Sequence, residues 1–219
     1  MNDLRRLIRE NYDRLAREYA DHLFNELQGK PLDRQLLDRF AASIPAPGDI
    51  CDMGCGPGQV ARYLRDAGAA VFGLDISARM IEEARRRNPD IRFQQGDMMA
   101  LDLTDNQLAG IAAFYAIVNF PRESLPPIFK QMYRVLLPGG LLLLAFHVGD
   151  EVVRPEDLWG LRVTMDWFFF RSDEIVRLLQ AAGFAIEEVI ERGPYAPEVE
   201  HQSRRAYIFA QKPETIPPN

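Results

Sequence analysis

The chain has 219 residues and a net charge of −6, which suit one large domain and disfavour a surface built to neutralise nucleic-acid phosphates. No apolar run reaches the ~18 residues of a membrane span, and the charged N-terminus lacks a signal-peptide core. The two cysteines, Cys51 and Cys55, are too few for a disulfide framework or a zinc site, so we expect no metal. We therefore expect a soluble cytoplasmic protein, a monomer or homodimer, with neither nucleic acid nor membrane as a partner.

The first 45 residues carry two amphipathic helical patterns, which separate at residues 29–31. They precede the first strand signal and stand outside the alternation that follows. We predict that residues 1–45 form a helical cap, which lies over the sheet or covers its edge.

From Ile50 onward, short apolar runs alternate with helical patterns, which indicates a mostly parallel sheet flanked by helices. The runs span residues 49–53, 69–75, 91–97, 110–118 and 141–147, and the helical patterns span 59–67, 77–88 and 123–136. Pro138 and the two glycines after it predict that the last helix stops there and turns into the next strand.

The remaining chain departs from this alternation. Residues 148–171 have no clear period and contain both tryptophans, which is typical of a functional insertion. A helical pattern follows over residues 172–183, and two alternating runs at 184–192 and 204–212 predict a hairpin. The expected fold is a single α/β domain over residues 1–219, with a Rossmann-like, doubly wound, seven-stranded sheet that is mostly parallel and ends in an antiparallel hairpin strand.

A glycine-rich turn, DMGCGPGQ at residues 52–59, follows the first strand. Ligands of parallel sheets bind at this point, and bare main chain there lets a ligand approach closely while the next helix offers its amides. Gly54, Gly56 and Gly58 give the spacing G-x-G-x-G, not the G-x-G-x-x-G of dinucleotide-binding proteins, and no phosphate-loop lysine is present. These differences count against a pyrophosphate-containing ligand but do not exclude one.

Acidic residues end the next two strands. Asp75 is placed to accept both hydroxyls of a ribose, although it could instead cap the helix that begins near Ser77. Gly96 and Asp97 end the third strand, where a carboxylate could accept the amine of an adenine. Two acids at one edge of the sheet indicate an adenosine-containing ligand.

The turn, the strand-end Asp75 with ISARMIEEAR, the GDMMAL segment and RVLLPGG resemble the successive motifs of class I S-adenosylmethionine-dependent methyltransferases. The resemblance covers residues 12–147 and is to small-molecule enzymes similar to methyltransferase types 11 and 25. It implies S-adenosylmethionine as cofactor and S-adenosylhomocysteine as product.

By this resemblance, the three turn glycines would face the methionine part of the cofactor and Asp52 would hold its amino group. Asp75 would hold the ribose hydroxyls, Ile76 and Met98 would enclose the adenine, and Asp97 would accept from its amine. The implied cofactor-binding residues are Tyr12, Tyr19, Asp52, Gly54, Cys55, Gly56, Gly58, Asp75, Ile76, Met80, Gly96, Asp97, Met98 and Phe114. Tyr12 and Tyr19 resemble tyrosines that cover the cofactor's carboxylate end in relatives, although both could simply pack an amphipathic helix.

Methyl transfer to a neutral hydroxyl or a protonated amine needs a base. His147 ends the fifth strand and is the candidate, although a histidine there could be a hydrogen-bonded structural residue. Tyr115 follows the fourth strand, beside the transferred methyl in relatives, and is the second predicted catalytic residue. The VNFP sequence nearby, which includes Asn119, departs from the motifs of nucleic-acid and protein amide methyltransferases and counts against those substrates.

For the methyl acceptor, we predict contacts with Trp159, Trp167, Phe169, His201 and Arg204, and a lid formed by residues 148–171. An aromatic wall favours a small, partly apolar acceptor that is methylated on oxygen, nitrogen or sulfur. Some of these rings could instead fill core, and the charges could belong to an exposed loop. Two other functions stay open: a binding module for S-adenosylmethionine or S-adenosylhomocysteine without turnover, and an NAD-dependent oxidoreductase.

Overall fold

The computed structural model describes residues 2–44 and 48–214. Helix α1 (Asn2–Leu23) and helix α2 (Pro31–Ser43) form the cap, with one 3-10 turn (Glu26–Gly29) between them. Helix α2 begins with a proline at its first position, where the missing N–H has no helical partner to lose. The break therefore falls where the sequence predicts it. Residue 45, the predicted end of the cap, lies outside the described residues.

The alternating region forms five parallel strands with three helices between them. The strands are β1 (Ile50–Met53), β2 (Val71–Asp75), β3 (Arg92–Gln95), β4 (Leu108–Phe114) and β5 (Leu136–Val148). The helices are α3 (Gln59–Asp66), α4 (Ala78–Arg87) and α5 (Leu125–Val135).

Four two-residue strands follow, then a helix and a hairpin. They are β6 (Val152–Val153), β7 (Asp157–Leu158), β8 (Leu161–Arg162), β9 (Trp167–Phe168), α6 (Ser172–Ala181), β10 (Ala185–Arg192) and β11 (Arg204–Gln211). The seven-stranded sheet has the order β10-β11-β5-β4-β1-β2-β3, with β11 antiparallel to both neighbours. The predicted fold class is confirmed.

The start of strand β5 differs from the prediction. Helix α5 ends at Val135, and Leu136 already pairs with Leu108 of strand β4. The next pair joins Leu141 and Gly110. Between the two pairs, strand β5 therefore advances by five residues while strand β4 advances by two. Pro138 and its glycines therefore form a bulge within the strand, because the extra residues are looped out of the pairing rather than placed before it.

Apolar layers cover both faces of the sheet. Helices α5 and α6 bury Ile128 and Ile175 on one face, and helices α2 and α3 bury Phe40 and Leu64 on the other. Strands buried on both faces are continuously apolar, as strand β4 is. In the part of the chain that the structure describes, no helix is both long and apolar enough to cross a membrane.

Helix α1 and the insertion at residues 148–171 pack against each other. Leu15 of helix α1 contacts Val163 and Met165, and the buried Asn11 side chain accepts a hydrogen bond from the Thr164 amide at 2.9 Å. Helix α1 and the insertion are thus packed together. Tyr12 and Tyr19 of helix α1 lie at the carboxyl ends of the parallel strands, beside Gly54 and Asp75.

Candidate active site

A first cavity of about 590 Å³, including its open mouth, lies at the carboxyl ends of strands β1 to β4. Among the residues predicted for the site it brings together Tyr12, Tyr19, Gly54, Gly56, Asp75, Ile76, Met80, Gly96, Asp97, Met98, Phe114 and Tyr115. Ile8, Ala116 and Asn119 also line it, and the sequence did not assign them to the cofactor.

Two glycines of the turn, Gly54 and Gly56, line this cavity, and they differ in the room that they leave. Gly54, Gly56 and Gly58 have φ values of 75°, 51° and 86°, which L side chains rarely adopt. A Cβ at Gly56 would meet only a ring carbon of Tyr19, at 3.7 Å, whereas one at Gly54 would lie 2.6 Å from the Ala116 Cβ. Gly56 is therefore the glycine that leaves room for a ligand, and Gly54 is required by packing.

Three predicted cofactor residues do not line the first cavity. The carboxylate of Asp52 is buried and accepts a hydrogen bond from the Ala61 amide at 2.9 Å, in the first turn of helix α3. Burial raises the pKa of Asp52 to about 7. Cys55 packs into the cluster beneath helix α4, and Gly58 faces buried side chains. These three residues pack on the side of the turn that faces away from the first cavity.

Asp75 lines the first cavity and is held by main-chain donors. Its two carboxylate oxygens accept from the amides of Gly56 at 2.9 Å and Ser77 at 2.8 Å. Each oxygen has a second lone pair, so both can still accept a ligand hydroxyl. Burial raises the pKa of Asp75 to about 6. The side chain that caps helix α4 is that of Ser77, which accepts from the Met80 amide.

Asp97 lines the same cavity as Asp75, so the two strand-end acids converge as the sequence predicts. Its carboxylate accepts from the Met99 amide and from Arg5 of helix α1, both at 2.8 Å. The sequence did not identify Arg5, because it precedes Asp97 by 92 positions.

Two tyrosines of helix α1, Tyr12 and Tyr19, line the first cavity on the side of that helix. The Tyr12 hydroxyl accepts a hydrogen bond from the Asn119 amide group at 2.9 Å, and the rings of Tyr12 and Tyr19 meet edge to face at 6.0 Å. Burial raises the pKa of Tyr12 to about 12 and that of Tyr19 well above its usual value. Both phenols therefore stay protonated and neutral.

A second cavity, about 970 Å³ with its mouth, adjoins the first and shares Tyr12, Tyr19 and Tyr115 with it. Besides these three tyrosines, four further predicted residues line it: His147, Trp159, Trp167 and His201. The other lining residues are Leu23, Glu26, Lys30, Val118, Leu158, Val199, Glu200 and Arg205.

Two residues predicted to contact the acceptor lie elsewhere. Phe169 is buried behind the wall, where its ring stacks on His147 at 4.8 Å. Arg204 is exposed and pairs with Glu191 at 2.6 Å, whereas its neighbour Arg205 is buried at the cavity. Side chains alternate along a strand, so only one of the two arginines can face inward.

His147 is held as a neutral ring. Its Nδ1 lies 2.7 Å from the Ser203 hydroxyl. Burial, with smaller contributions from Arg205, His201 and Lys30, lowers the pKa of His147 to about 2. So weak a base does not suit the predicted role at neutral pH, and the geometry favours the alternative of a hydrogen-bonded residue.

Tyr115 lies between the two cavities in an unusual conformation. Its φ of 55° is rare for a residue with a side chain, and such strain concentrates at functional sites. Its hydroxyl is buried, with the side chains of Tyr207 and Asp33 nearby. Lys30 and Arg205 lie near its ring, at 5.4 and 5.5 Å from the centroid.

Comparisons with known proteins agree with this geometry. A family profile described as a methyltransferase domain matches residues 50–140. The malonyl-[acyl-carrier protein] O-methyltransferase of Enterobacter lignolyticus is 34% identical over 150 residues, 68% of this chain and 56% of that protein. The demethylmenaquinone methyltransferase of Renibacterium salmoninarum is 36% identical over 114 residues, 51% of this chain and 46% of that protein.

Solved structures share the fold. A S-adenosylmethionine-dependent methyltransferase from Methanosarcina mazei superposes with a TM-score of 0.71 and 19% identity, over 78% of this chain and 95% of that one. The chain belongs to the class I S-adenosylmethionine-dependent methyltransferases. The [4+2]-cyclase SpnF has the same fold, with a TM-score of 0.68 and 20% identity over 93% and 97% of the two chains. The fold alone therefore does not determine the reaction of a class I member. This chain spans about half the length of the two curated relatives named above.

The polar groups of the first cavity of this methyltransferase domain can be compared with the needs of an adenosine. Asp75 and Asp97 line the cavity with lone pairs left to accept, and Gly56 leaves room beside the main chain. Asn119 also lines this cavity, although its Oδ1, which has no partner among the described residues, is itself buried. The two carboxylates suit a ligand that carries hydroxyl and amine donors.

A buried ion cluster lies beneath the second cavity of the methyltransferase domain. Lys30 contacts Glu26 at 2.6 Å and Glu200 at 3.7 Å, and Arg192 binds both Glu200 and, at 3.0 Å, Asp33. The cluster contains three acids and three bases: Glu26, Asp33, Glu200, Lys30, Arg192 and Arg205. From the sequence, Glu200 and Arg205 could either recognise a polar group or be exposed loop charges, and no local pattern marks their partners in the cap.

Proposed function

We propose that the protein transfers a methyl group from S-adenosylmethionine to an oxygen, nitrogen or sulfur atom of a small-molecule acceptor. The observation that carries this proposal is the pair of adjoining cavities with three shared tyrosines, Tyr12, Tyr19 and Tyr115. A cofactor in the first cavity and an acceptor in the second would meet at these rings.

In this proposal the bound cofactor supplies an activated methyl carbon, so the protein chiefly aligns two molecules and excludes water. Asp75 would orient the ribose and Asp97 the adenine, each already fixed by main-chain donors. Tyr12 and Tyr19 would close the site above the reacting atoms, because helix α1 lies over both cavities. Tyr115 would contact the acceptor beside the methyl.

We also propose that residues 148–171 act with helix α1 as the lid over the acceptor. Trp159 stacks on His22 at 4.9 Å and meets Tyr19 edge to face at 5.9 Å, so the tip of the β7–β8 hairpin rests on the helix. The hairpin and Trp167 give the second cavity an aromatic side, which suits a partly apolar acceptor. A cytoplasmic location and a monomeric or homodimeric state stay predictions.

Mass spectrometry of small molecules released from the purified protein tests the cofactor. We expect S-adenosylhomocysteine, and we expect calorimetry to give micromolar binding of this product. Tight binding of NAD without binding of S-adenosylhomocysteine would contradict the proposal and favour the oxidoreductase alternative. Turnover is then tested with methyl-labelled S-adenosylmethionine and a panel of acids, phenols, amines and thiols; binding without transfer to any class would favour the non-catalytic module.

A further inference from the structure

The methionine part of S-adenosylmethionine carries an ammonium group, whose strongest hydrogen bonds are to a charged acceptor. Among the described residues, two acids line the first cavity, and the ribose and the adenine would use both: Asp75 and Asp97. Asp52, which the sequence predicts for the amino group, is buried, accepts from the Ala61 amide and does not line the cavity. A charged acceptor for the ammonium therefore has to come from another part of the chain.

Glu26 brings a carboxylate from the helical cap to the glycine turn. It is the first residue of the 3-10 turn between helices α1 and α2. Its Oε1 accepts a hydrogen bond from Nε2 of Gln59 at 3.0 Å. Gln59 begins helix α3 directly after Gly58, the last glycine of the turn. The cap therefore places an acid within one side chain of the turn that the cofactor is expected to approach.

Tyr19 lies between the glycine turn and Glu26. A Cβ added at Gly56 would lie 3.7 Å from a ring carbon of Tyr19, so the room beside Gly56 extends to this ring. Tyr19 lines both cavities, and Glu26 lines the second. Burial, with smaller contributions from Tyr12 and Glu26, raises the pKa of Tyr19, so the acid lies near the phenol. A ligand tail that runs from the ribose past Gly56 and Tyr19 would therefore reach Glu26.

The Glu26 carboxylate can bind a further donor. Its Oε2 accepts from Lys30 at 2.6 Å and its Oε1 from Gln59, and each oxygen keeps a second lone pair. The Glu26 side chain is 14% exposed, whereas those of Glu200 and Asp33, the other acids of the ion cluster, are 2% and 1% exposed. Of these three acids, Glu26 is therefore the one that retains surface for a ligand.

We propose that Glu26 binds the ammonium of the cofactor's methionine part, and that Gln59 and Lys30 hold the Glu26 carboxylate in place. The inference rests on the proposed methyl transfer, and it assigns to the cap a charged contact that the sequence predicts for Asp52. The carboxylate of the same ligand would be attracted by Lys30 and could accept from the neutral Tyr19 hydroxyl. A ligand with one charge of each sign is complementary to an ion pair, because each charge meets its opposite.

Calorimetry with two ligands tests this contact through binding alone. The ligands are S-adenosylhomocysteine and its deaminated analogue, in which 4-thiobutyrate replaces homocysteine, so that the carboxylate is kept and the amine is absent. In the unaltered protein, we expect the analogue to bind about ten- to a hundredfold more weakly, because it loses a hydrogen bond between charged groups. Equal binding of the two ligands would overturn the inference, because no protein group would then hold the ammonium.

Glu26→Gln removes the negative charge and keeps the size of the side chain. Its affinity for S-adenosylhomocysteine should fall about tenfold or more, while its affinity for the deaminated analogue should stay within about twofold of that of the unaltered protein. Glu26→Asp shortens the side chain by one methylene group and keeps the charge, so we expect a smaller loss that is again confined to S-adenosylhomocysteine. If Glu26→Gln fails to fold, the Glu26→Asp comparison decides.

Two matched variants separate Glu26 from other acids. Glu200→Gln neutralises another acid that contacts Lys30, and Asp52→Asn neutralises the acid that the sequence predicts; both should keep the preference for S-adenosylhomocysteine over its analogue. Loss of that preference in Asp52→Asn but not in Glu26→Gln would overturn the inference. Equal weakening of both ligands in the Glu26 variants would also overturn it, because it would indicate a structural role. Failure of the unaltered protein to bind either ligand would instead remove the proposed function.

Discussion

The two cavities of this protein are built in different ways. The first is made by consecutive strand ends, and its groups are main-chain amides, glycine and two acids that the main chain holds in place. The second is made by the helical cap, the insertion and the C-terminal hairpin, which bring charged side chains together from distant parts of the chain. A site at strand ends is determined by short stretches of sequence. A site between packed elements depends instead on the position of every one of those elements.

The largest expected effect concerns the ion cluster beneath the second cavity. Glu200→Ala would leave Lys30, Arg192 and Arg205 with one anion fewer in a buried setting, so we expect the free energy of unfolding to fall by about 3–5 kcal/mol. Urea unfolding followed by circular dichroism measures this change.

The control for the cluster is a surface ion pair between the same hairpin and helix α2. Glu188 pairs with Arg39 at 2.6 Å, with both side chains more than 40% exposed. Glu188→Ala should therefore lower the free energy of unfolding by less than about 1 kcal/mol. Equal losses in Glu200→Ala and Glu188→Ala would mean that burial of the cluster does not matter to stability.

The second prediction concerns a substitution in the first cavity that leaves the ion cluster unchanged. Gly56→Val places a side chain where a ligand would approach the main chain, so S-adenosylhomocysteine affinity should fall more than about a hundredfold by calorimetry. Gly68→Val is the control, because Gly68 also has a left-handed φ, of 90°, and no atom within 4 Å of an added Cβ. Both variants carry backbone strain, and only Gly56→Val should lose the ligand; equal binding by the two would place the ligand elsewhere.

The first cavity could be predicted from the sequence because its signals are short-range. Gly56, Asp75 and Asp97 each lie at or just after the end of a strand, and parallel strands bring these ends to one edge of the sheet. The pattern does not say which way each of these groups faces. Asp52 and Cys55 share the same motif, yet they turn toward helix α3 and the cluster beneath helix α4.

The second cavity could not be predicted in the same way. The sequence points to an arginine near residue 204, but whether residue 204 or 205 faces inward depends on strand register, which pairing with strand β5 sets. Asp33 and Arg192 meet across 159 positions, so no local pattern marks them as partners. The bulge at residues 137–140 could not be predicted for the same reason. Only the pairing of Leu136 with strand β4 shows that strand β5 begins before the bulge.

The third prediction concerns the charge of Asp75. Asp75→Ala should weaken S-adenosylhomocysteine binding by about 1.5–3 kcal/mol through lost hydrogen bonds to a charged acceptor. Because burial raises the pKa of Asp75 to about 6, the free protein holds a proton there below pH 6. The carboxylate is the better acceptor for two hydroxyls, so affinity should rise with pH from about 5 to 7 and then level off.

Calorimetry of Asp75→Asn across the same pH range is the control for this titration. An amide does not ionise, so the rise in affinity between pH 5 and 7 should be absent from this variant. For the unaltered protein, titrations at pH 5.5 in two buffers of different ionisation enthalpy should show protons released on binding. A flat affinity in the unaltered protein, or the same rise in Asp75→Asn, would assign the pH dependence to another group.

The smallest expected effect lies at the tip of the lid. Trp159 has a φ of 54° in the two-residue turn between strands β7 and β8, a conformation that favours glycine or asparagine, and its ring is 36% exposed. Trp159→Gly relieves this strain, which offsets the lost stacking on His22, so the unfolding free energy should change by no more than about 1 kcal/mol. The KM for the acceptor should rise several-fold, because the aromatic side of the second cavity is lost. Trp159→Phe keeps a ring and the strain and should retain most of the affinity; equal KM values for the two variants would show that the hairpin tip does not cover the acceptor.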